Sequence, residues 1–327
     1  MTRLVVSPVD DLPEVAEGDD LARLIAARLD EPLQTYDVVV VTSKVVSKAA
    51  GLVTTADRES LIDDATDRVV ARKGPTRIVR THSGLTIAAA GLDASNTKPG
   101  TVVSLPPAPD IDAARLRHAL MALHPEAERL GVIITDTAGR AWRIGQTDIA
   151  IGCAGIWPAR PYAGEQDTYG NDLQVTAPAI ADEIASAAEL ATGKVSGRPV
   201  AVVRGIDPVL FCDDAGPGAS VLVRPEREDL FGLGAHEAVR QAVSASPDRP
   251  RGFPEVDDDP VDLALVQVDP ALLTVSSDGS SIHVAQAPGA DRTEALIELG
   301  ALRERFRILG RAYGRHYDIP TTLSRAT

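Results

Sequence analysis

Short apolar runs rich in β-branched residues recur along the chain, at residues 4–9, 38–42, 77–81, 102–105, 131–135, 200–204 and 220–224. Between several of them the apolar residues fall three and four apart, the period of a helix with one buried face. Leu21, Leu24, Ile25 and Leu29 make one such stripe behind Asp19-Asp20. Ile180, Ile184, Ala188 and Ala191 make another. There Thr176 is placed to cap, Pro178 to occupy the first turn, and Gly193 to end the helix. Strands and helices mixed in this way predict an α/β or α+β architecture. Their order is not the regular alternation of a doubly wound sheet, and no internal repeat stands out.

A shift in composition divides the chain. Residues 1–245 read as the main domain and residues 246–260, with their Pro and Arg steps and Glu255, Asp257, Asp258 and Asp259, as an acidic, proline-rich linker. Residues 261–327 read as an extension: a strand pair at 262–268 and 281–285 with a turn at Asp278-Gly279, then an amphipathic helix. The helix carries Ala295, Leu296, Leu299, Leu302, Phe306, Leu309 and Tyr313 on one stripe and Arg303, Arg305, Arg307, Arg311 and Arg315 on its solvated face.

Several function classes are excluded by bulk properties. The 327 residues include no run near the 18 or so apolar residues that a membrane span requires, and the amino terminus has no secretory pattern, so a cytoplasmic protein is expected. A net charge of −14 argues against a nonspecific grip on nucleic acid, and 3% aromatics are too few for base-stacking platforms. Cys153 and Cys212 form no CxxC, and the six histidines show no metal-ligand spacing. One disulfide remains open on sequence alone.

The chemistry gathers in four segments. Thr42-Ser43-Lys44-Val45-Val46-Ser47-Lys48 follows a buried strand and offers ammonium and hydroxyl donors to phosphate oxygens, without the glycines of a Walker A loop. Gly91-Leu92-Asp93-Ala94-Ser95-Asn96 and Ile134-Thr135-Asp136-Thr137-Ala138-Gly139 each end an apolar run in a carboxylate flanked by hydroxyls. A charge at the end of a buried strand is costly unless a cation or donors meet it. Two such carboxylates suit a Mg²⁺ or Mn²⁺ ion that carries phosphates. Both segments also suit simple turns. Arg140 and Arg143, beside Gly139 and Trp142, make a candidate clamp for anions, the alternative being Trp142 in the core and the arginines on the surface. Tyr169-Gly170-Asn171-Asp172 reads as a turn.

Taken in order from Leu12-Pro13-Glu14-Val15 to Gly164–Asp172, these segments resemble the coenzyme F420-0:L-glutamate ligase (F420 γ-glutamyl ligase) family over roughly residues 3–243. The resemblance implies GTP-dependent amide formation between the lactyl carboxylate of F420-0 and L-glutamate, with further γ-linked additions, through an acyl phosphate. It implies Asp93 and Asp136 as ligands of a first Mg²⁺ or Mn²⁺ ion and Thr137 at a second, with a potassium ion also a candidate. Leu12, Pro13, Glu14, Val15, Ser43, Lys48 and Asn96 would line the nucleotide site, with Lys48 offsetting phosphate charge. On chemical grounds Arg140 and Arg143 are assigned to substrate carboxylates. A two-lobed fold in an intertwined homodimer is implied as well.

Lys194 departs from the family pattern, in which a Gln commonly follows the glycine aligned with Gly193. The terminal extension is too short for a flavin-binding domain, so no FMN is expected. Two alternatives stand beside the ligase reading: a nucleotide-binding regulatory homologue without turnover, and a GTP- or ATP-dependent ligase for another carboxylate.

Overall fold

In a computed structural model, the structure describes residues 3–95, 97–244, 251–253, 268–277, 282–313, 320 and 322–325. The chain forms two compact units, residues 1–69 with 73–223, and residues 70–72 with 224–327. The elements up to the end of the first unit are β1 (Val5–Pro8), α1 (Leu21–Ala26), β2 (Asp37–Thr42), α2 (Ser43–Ala49), β3 (Val53–Thr54), α3 (Arg58–Ala65), β4 (Thr66–Lys73), β5 (Thr76–Thr81), β6 (Thr86–Ala88), β7 (Val102–Val103), α4 (Pro109–Leu123), β8 (Leu130–Arg140), β9 (Arg143–Ala154), α5 (Ile180–Thr192) and β10 (Val200–Arg204). The second unit adds α6 (Ala235–Val243), β11 (Leu273–Ser277), β12 (Ile282–Gln286), α7 (Arg292–Tyr313) and β13 (Ser324–Arg325).

A five-stranded sheet in the order β1-β10-β2-β8-β9 organises the first unit, and the architecture is mixed α/β. Only β2 and β8 run parallel; the other neighbours are antiparallel. The four valines of β2 are needed because the sheet is covered on both faces. Val39 and Val41 pack with Ile25, Leu116 and Leu120 on one side. Val38 and Val40 pack with Ala181, Ile184 and Ala188 on the other. At the β8–β9 pairing the register shifts between Ile134 and Thr135, a bulge beside which the Ala150 N–H donates to Asp182 Oδ1 at 2.9 Å. Gly152 has no side chain because a Cβ there would meet the Pro109 carbonyl oxygen at 2.4 Å.

Three local expectations change. Residues 220–224 are not a strand: Ala219–Leu222 is a 3₁₀ turn, fixed by Asp110, whose carboxylate accepts from the N–H groups of Ala219 and Ser220. Thr176 caps nothing. Its carbonyl accepts from Tyr162 N–H and that of Pro178 from Arg160 N–H, so this stretch is tied down as extended chain and α5 begins at Ile180. Trp142 is not core. It sits at φ 60° in the β8–β9 turn, with most of its side chain in solvent.

Asp20 caps α1 through Arg23 N–H, and Gly193 ends α5 at φ 64°, as the sequence predicts. In the second unit β11 pairs antiparallel with β12, and Leu299, Leu302 and Phe306 of α7 pack with Leu273 and Val284. The expected strand at residues 262–268 and the turn at 278–279 lie almost wholly outside the described residues. The partner of β12 is Leu273–Ser277 instead. Cys153 and Cys212 are buried and unbridged. No helix among the described residues is long and apolar enough to cross a membrane.

Candidate functional site

Strand β2 ends at Thr42 and the chain turns directly into α2, which puts Ser43 and Lys44 at the carboxyl end of the central strand. Parallel pairing sets Thr42 opposite Thr135, so Asp136 and Thr137 come alongside. Ser43, almost fully buried, donates from Oγ to Asp136 Oδ1 at 3.3 Å. Asp93 arrives from another direction, just after the 3₁₀ turn Ala89–Gly91, where its backbone bridges Val103. Neither carboxylate sits at the end of a strand as the sequence suggested. Asp136 is inside β8, which continues to Arg140, and Asp93 follows a tight turn.

Lys44 binds Asp93 and acts on Asp136 through its charge alone. Its Nζ is 2.6 Å from Asp93 Oδ2 and donates to Ser95 Oγ at 3.1 Å. The Ser95 N–H and Oγ in turn donate to the Asp93 carboxylate at 2.8 and 2.7 Å. Burial pushes the Asp93 carboxyl up, but the Lys44 ammonium and the Ser95 donors outweigh it and hold the pKa at about 2. Burial dominates at Asp136 and raises its pKa to about 6; the Asp148 carboxylate pushes the same way, against Lys44, the Thr137 N–H and Ser43. One ammonium thus acts on two carboxylates whose pKa values are shifted in opposite directions.

Asp148 lies across the hairpin, paired in register with Thr137. Although it is 7% exposed, both its oxygens are satisfied: Thr135 Oγ1 donates to Oδ2 at 2.9 Å and Thr137 Oγ1 to Oδ1 at 2.8 Å. Lys194, just beyond the end of α5, donates from Nζ to Thr137 Oγ1 at 3.0 Å. Lys48 pairs with Glu14 at 2.6 Å.

Several of these groups border a cavity of ≈ 500 Å³ in the first unit. Residues 12–15 form part of its wall, and Lys44, Lys48, Thr137, Asp148 and Lys194 also face it. The predicted nucleotide-site residues Leu12, Pro13, Glu14, Val15 and Lys48 are therefore brought together with Thr137. Asp93 joins them through its ion pair with Lys44, while Ser43 and Asp136, hydrogen-bonded to each other, do not line the cavity. Asn96 lies outside the described residues. Arg140 and Arg143 are paired at the tip of the β8–β9 hairpin and do not line the cavity. Sequence reasoning missed Lys44 as the hub and Asp148 altogether. The hairpin register that sets Asp148 against Thr137 was the signal available for the second.

The donor set is oxygen only, which suits a hard divalent cation. Among the described residues no three His, Cys, Asp or Glu side chains converge as a ready-made ligand cluster.

A cavity of this size, bordered by ammonium groups, hydroxyls and a buried carboxylate, is built for a small charged molecule and not for a polymer. The chain belongs to the F420-0:gamma-glutamyl ligase family, which it matches over residues 11–68 and 55–205. Every residue of the site from Glu14 to Lys194 lies within those spans. It is 36% identical over 251 residues to the coenzyme F420:L-glutamate ligase of Archaeoglobus fulgidus, covering 70% of this chain and 96% of that protein. To the protein of the same name from Methanosarcina acetivorans it is 35% identical over 246 residues, 69% of this chain and 94% of the relative.

Proposed function

We propose that this protein is a ligase that joins L-glutamate to coenzyme F420-0, with GTP as the source of energy and a divalent ion at Asp93 and Asp136. The observation that carries the proposal is the Lys44 ammonium, ion-paired with Asp93 at 2.6 Å and acting through its charge on the buried Asp136, beside a cavity walled by residues 12–15, Lys48 and Thr137. Family membership supports the substrate class, because the curated relatives are named as coenzyme F420:L-glutamate ligases.

The chemistry follows from the inertness of a carboxylate toward an amine. The lactyl carboxylate oxygen attacks the γ-phosphorus of GTP, the bond to the β-phosphate oxygen breaks, and GDP leaves. The glutamate amine then attacks the acyl carbon, loses a proton, and expels inorganic phosphate as the amide forms. Phosphoryl transfer of this kind needs alignment and charge neutralisation rather than a protein nucleophile. Both cysteines are buried and raised in pKa, Cys153 to about 12, so neither is suited to that role.

A divalent ion, when bound, supplies charge neutralisation at the phosphate oxygens. The chain's own residues do the rest. Lys48 lies at the cavity wall with its ammonium held by Glu14, positioned to meet phosphate charge. Ser43 orients Asp136. Lys44 neutralises Asp93 and is poised to exchange that partner for phosphate. Arg140 and Arg143, on the exposed hairpin tip, lie outside the cavity lining.

Mass spectrometry of mixtures of F420-0, L-glutamate, GTP and Mg²⁺ or Mn²⁺ tests the reading. A product heavier by one or more glutamyl residues, formed only with GTP and metal, is expected. Phosphate release without an amide product, or amide formation with no nucleotide, overturns it. The same assay with alternative acids separates this ligase from one that acts on another carboxylate.

A further inference from the structure

Several lysines face the cavity, and two of them already have carboxylate partners. Lys44 is spent on Asp93 and Lys48 on Glu14. Lys194 differs. Its ammonium donates to the neutral Thr137 hydroxyl, and among the described residues no carboxylate lies within ion-pair distance of it. It stands one residue past Gly193, at the negative end of the α5 dipole, which favours a cation there.

The Thr137 hydroxyl is engaged on both its donor and its acceptor side. It has one hydrogen, given to Asp148 Oδ1 at 2.8 Å, and its oxygen accepts from Lys194 Nζ at 3.0 Å. Asp148 is more than nine-tenths buried and is locked by Thr135 and Thr137, so the direction of the Thr137 hydrogen is fixed. The oxygen side of that hydroxyl holds an ammonium, and both Thr137 and Lys194 line the cavity. A metal ion on the same oxygen would sit beside the Lys194 charge and be repelled by it. An ammonium with three hydrogens, one given to Thr137, keeps two for an anion in the cavity.

We infer that the Lys194 ammonium is a built-in cation of the phosphate site: it occupies the position at Thr137 that a second divalent ion would otherwise take, and binds a phosphate oxygen of the nucleotide directly. The inference rests on the nucleotide reading above. It makes this chain a ligase that works with a single divalent ion per site, and it gives the Asp148–Thr137–Lys194 chain of hydrogen bonds the purpose of aiming that ammonium.

The test counts ions. Mn²⁺ bound per chain is measured by electron paramagnetic resonance on the full-length protein saturated with the β,γ-imido analogue of GTP. Wild type is expected to hold a single ion, Lys194→Arg also a single ion, and Lys194→Gln two, since an amide oxygen and a vacated Thr137 lone pair can ligate. At limiting Mn²⁺, Lys194→Gln should bind the analogue on the order of tenfold more weakly, and excess Mn²⁺ should restore it. Two ions in wild type, or one in Lys194→Gln, overturns the inference and leaves the nucleotide reading intact. Failure of wild type to bind the analogue at any Mn²⁺ concentration overturns both.

Discussion

Lys44 and Asp93 are held 2.6 Å apart although Lys44 lies in α2, after a strand of the five-stranded sheet, and Asp93 bridges Val103 of β7, a strand of another sheet. The pair keeps Asp93 ionised, and the same ammonium partly offsets the burial of Asp136. Lys44→Met should therefore raise the Asp93 pKa from about 2 toward the ordinary carboxylate value of 3.8 and push Asp136 higher than about 6. A carboxyl-carbon NMR titration of metal-free wild type and variant reads both shifts. Unchanged titration of both groups would remove Lys44 from its place between them.

Asp136→Asn should abolish amide formation and reduce the dependence of nucleotide binding on metal, because the neutral amide is a weaker ligand for a hard ion. Arg307→Ala should alter neither. Its side chain is engaged with Glu304 on α7, in the other unit. Steady-state assays over a metal titration compare the two variants with wild type, and full turnover by Asp136→Asn at saturating metal would take Asp136 out of the reaction.

The pH response of the metal-free protein has a definite sign. A carboxyl that titrates at about 6 folded and 3.8 unfolded binds its proton more tightly in the native state. Its contribution to stability is fully present below pH 3.8 and is lost as pH rises through 6, by on the order of 3 kcal/mol in total. Wild type without metal should thus gain stability relative to Asp136→Asn as pH falls from 7 to 5. Subtracting the variant removes the effect of the −14 net charge that both share within one unit. Urea melts at several pH values provide the comparison. Saturating Mg²⁺ should flatten the difference, because the ion binds the ionised form.

How much of this was legible in the sequence depended on whether neighbours along the chain were also neighbours in space. Val38 to Val41 announced a strand buried on both faces, and it is one. The stripes of α1, α5 and α7 were readable because each helix packs one face in period with its own sequence. Asp93 and Asp136 stood out as residue types, but their meeting point did not. Lys44 becomes the hub only because α2 starts where β2 ends and β8 is parallel to β2. Asp148 was invisible for the same reason, since its importance comes from a register across a hairpin. The strand expected at 220–224 failed because a carboxylate far away in sequence, Asp110, captures the N–H groups that a ladder would have used. Propensity could not foresee that competitor.

Arg204 and Asp37 supply the sharpest prediction about stability. Asp37 is fully buried at the start of β2, and Arg204, at the end of β10, grips both of its oxygens at 2.8 and 2.9 Å. Asp37 Oδ2 also accepts from the Gln34 N–H, so the carboxylate ties the entry of the central strand to its neighbour. Arg204→Met keeps much of the aliphatic stem yet leaves a buried carboxylate with no counter-charge. The expected cost is roughly 3 kcal/mol or more. Replacing both partners, with Asp37→Asn added to Arg204→Met, should recover part of that loss, because the uncompensated charge is gone while the Gln34 N–H keeps an acceptor. Denaturant melts of the single and double variants form the cycle. A double variant no more stable than Arg204→Met alone would mean that the arginine acts by packing, and that its charge is irrelevant to holding β2 in place.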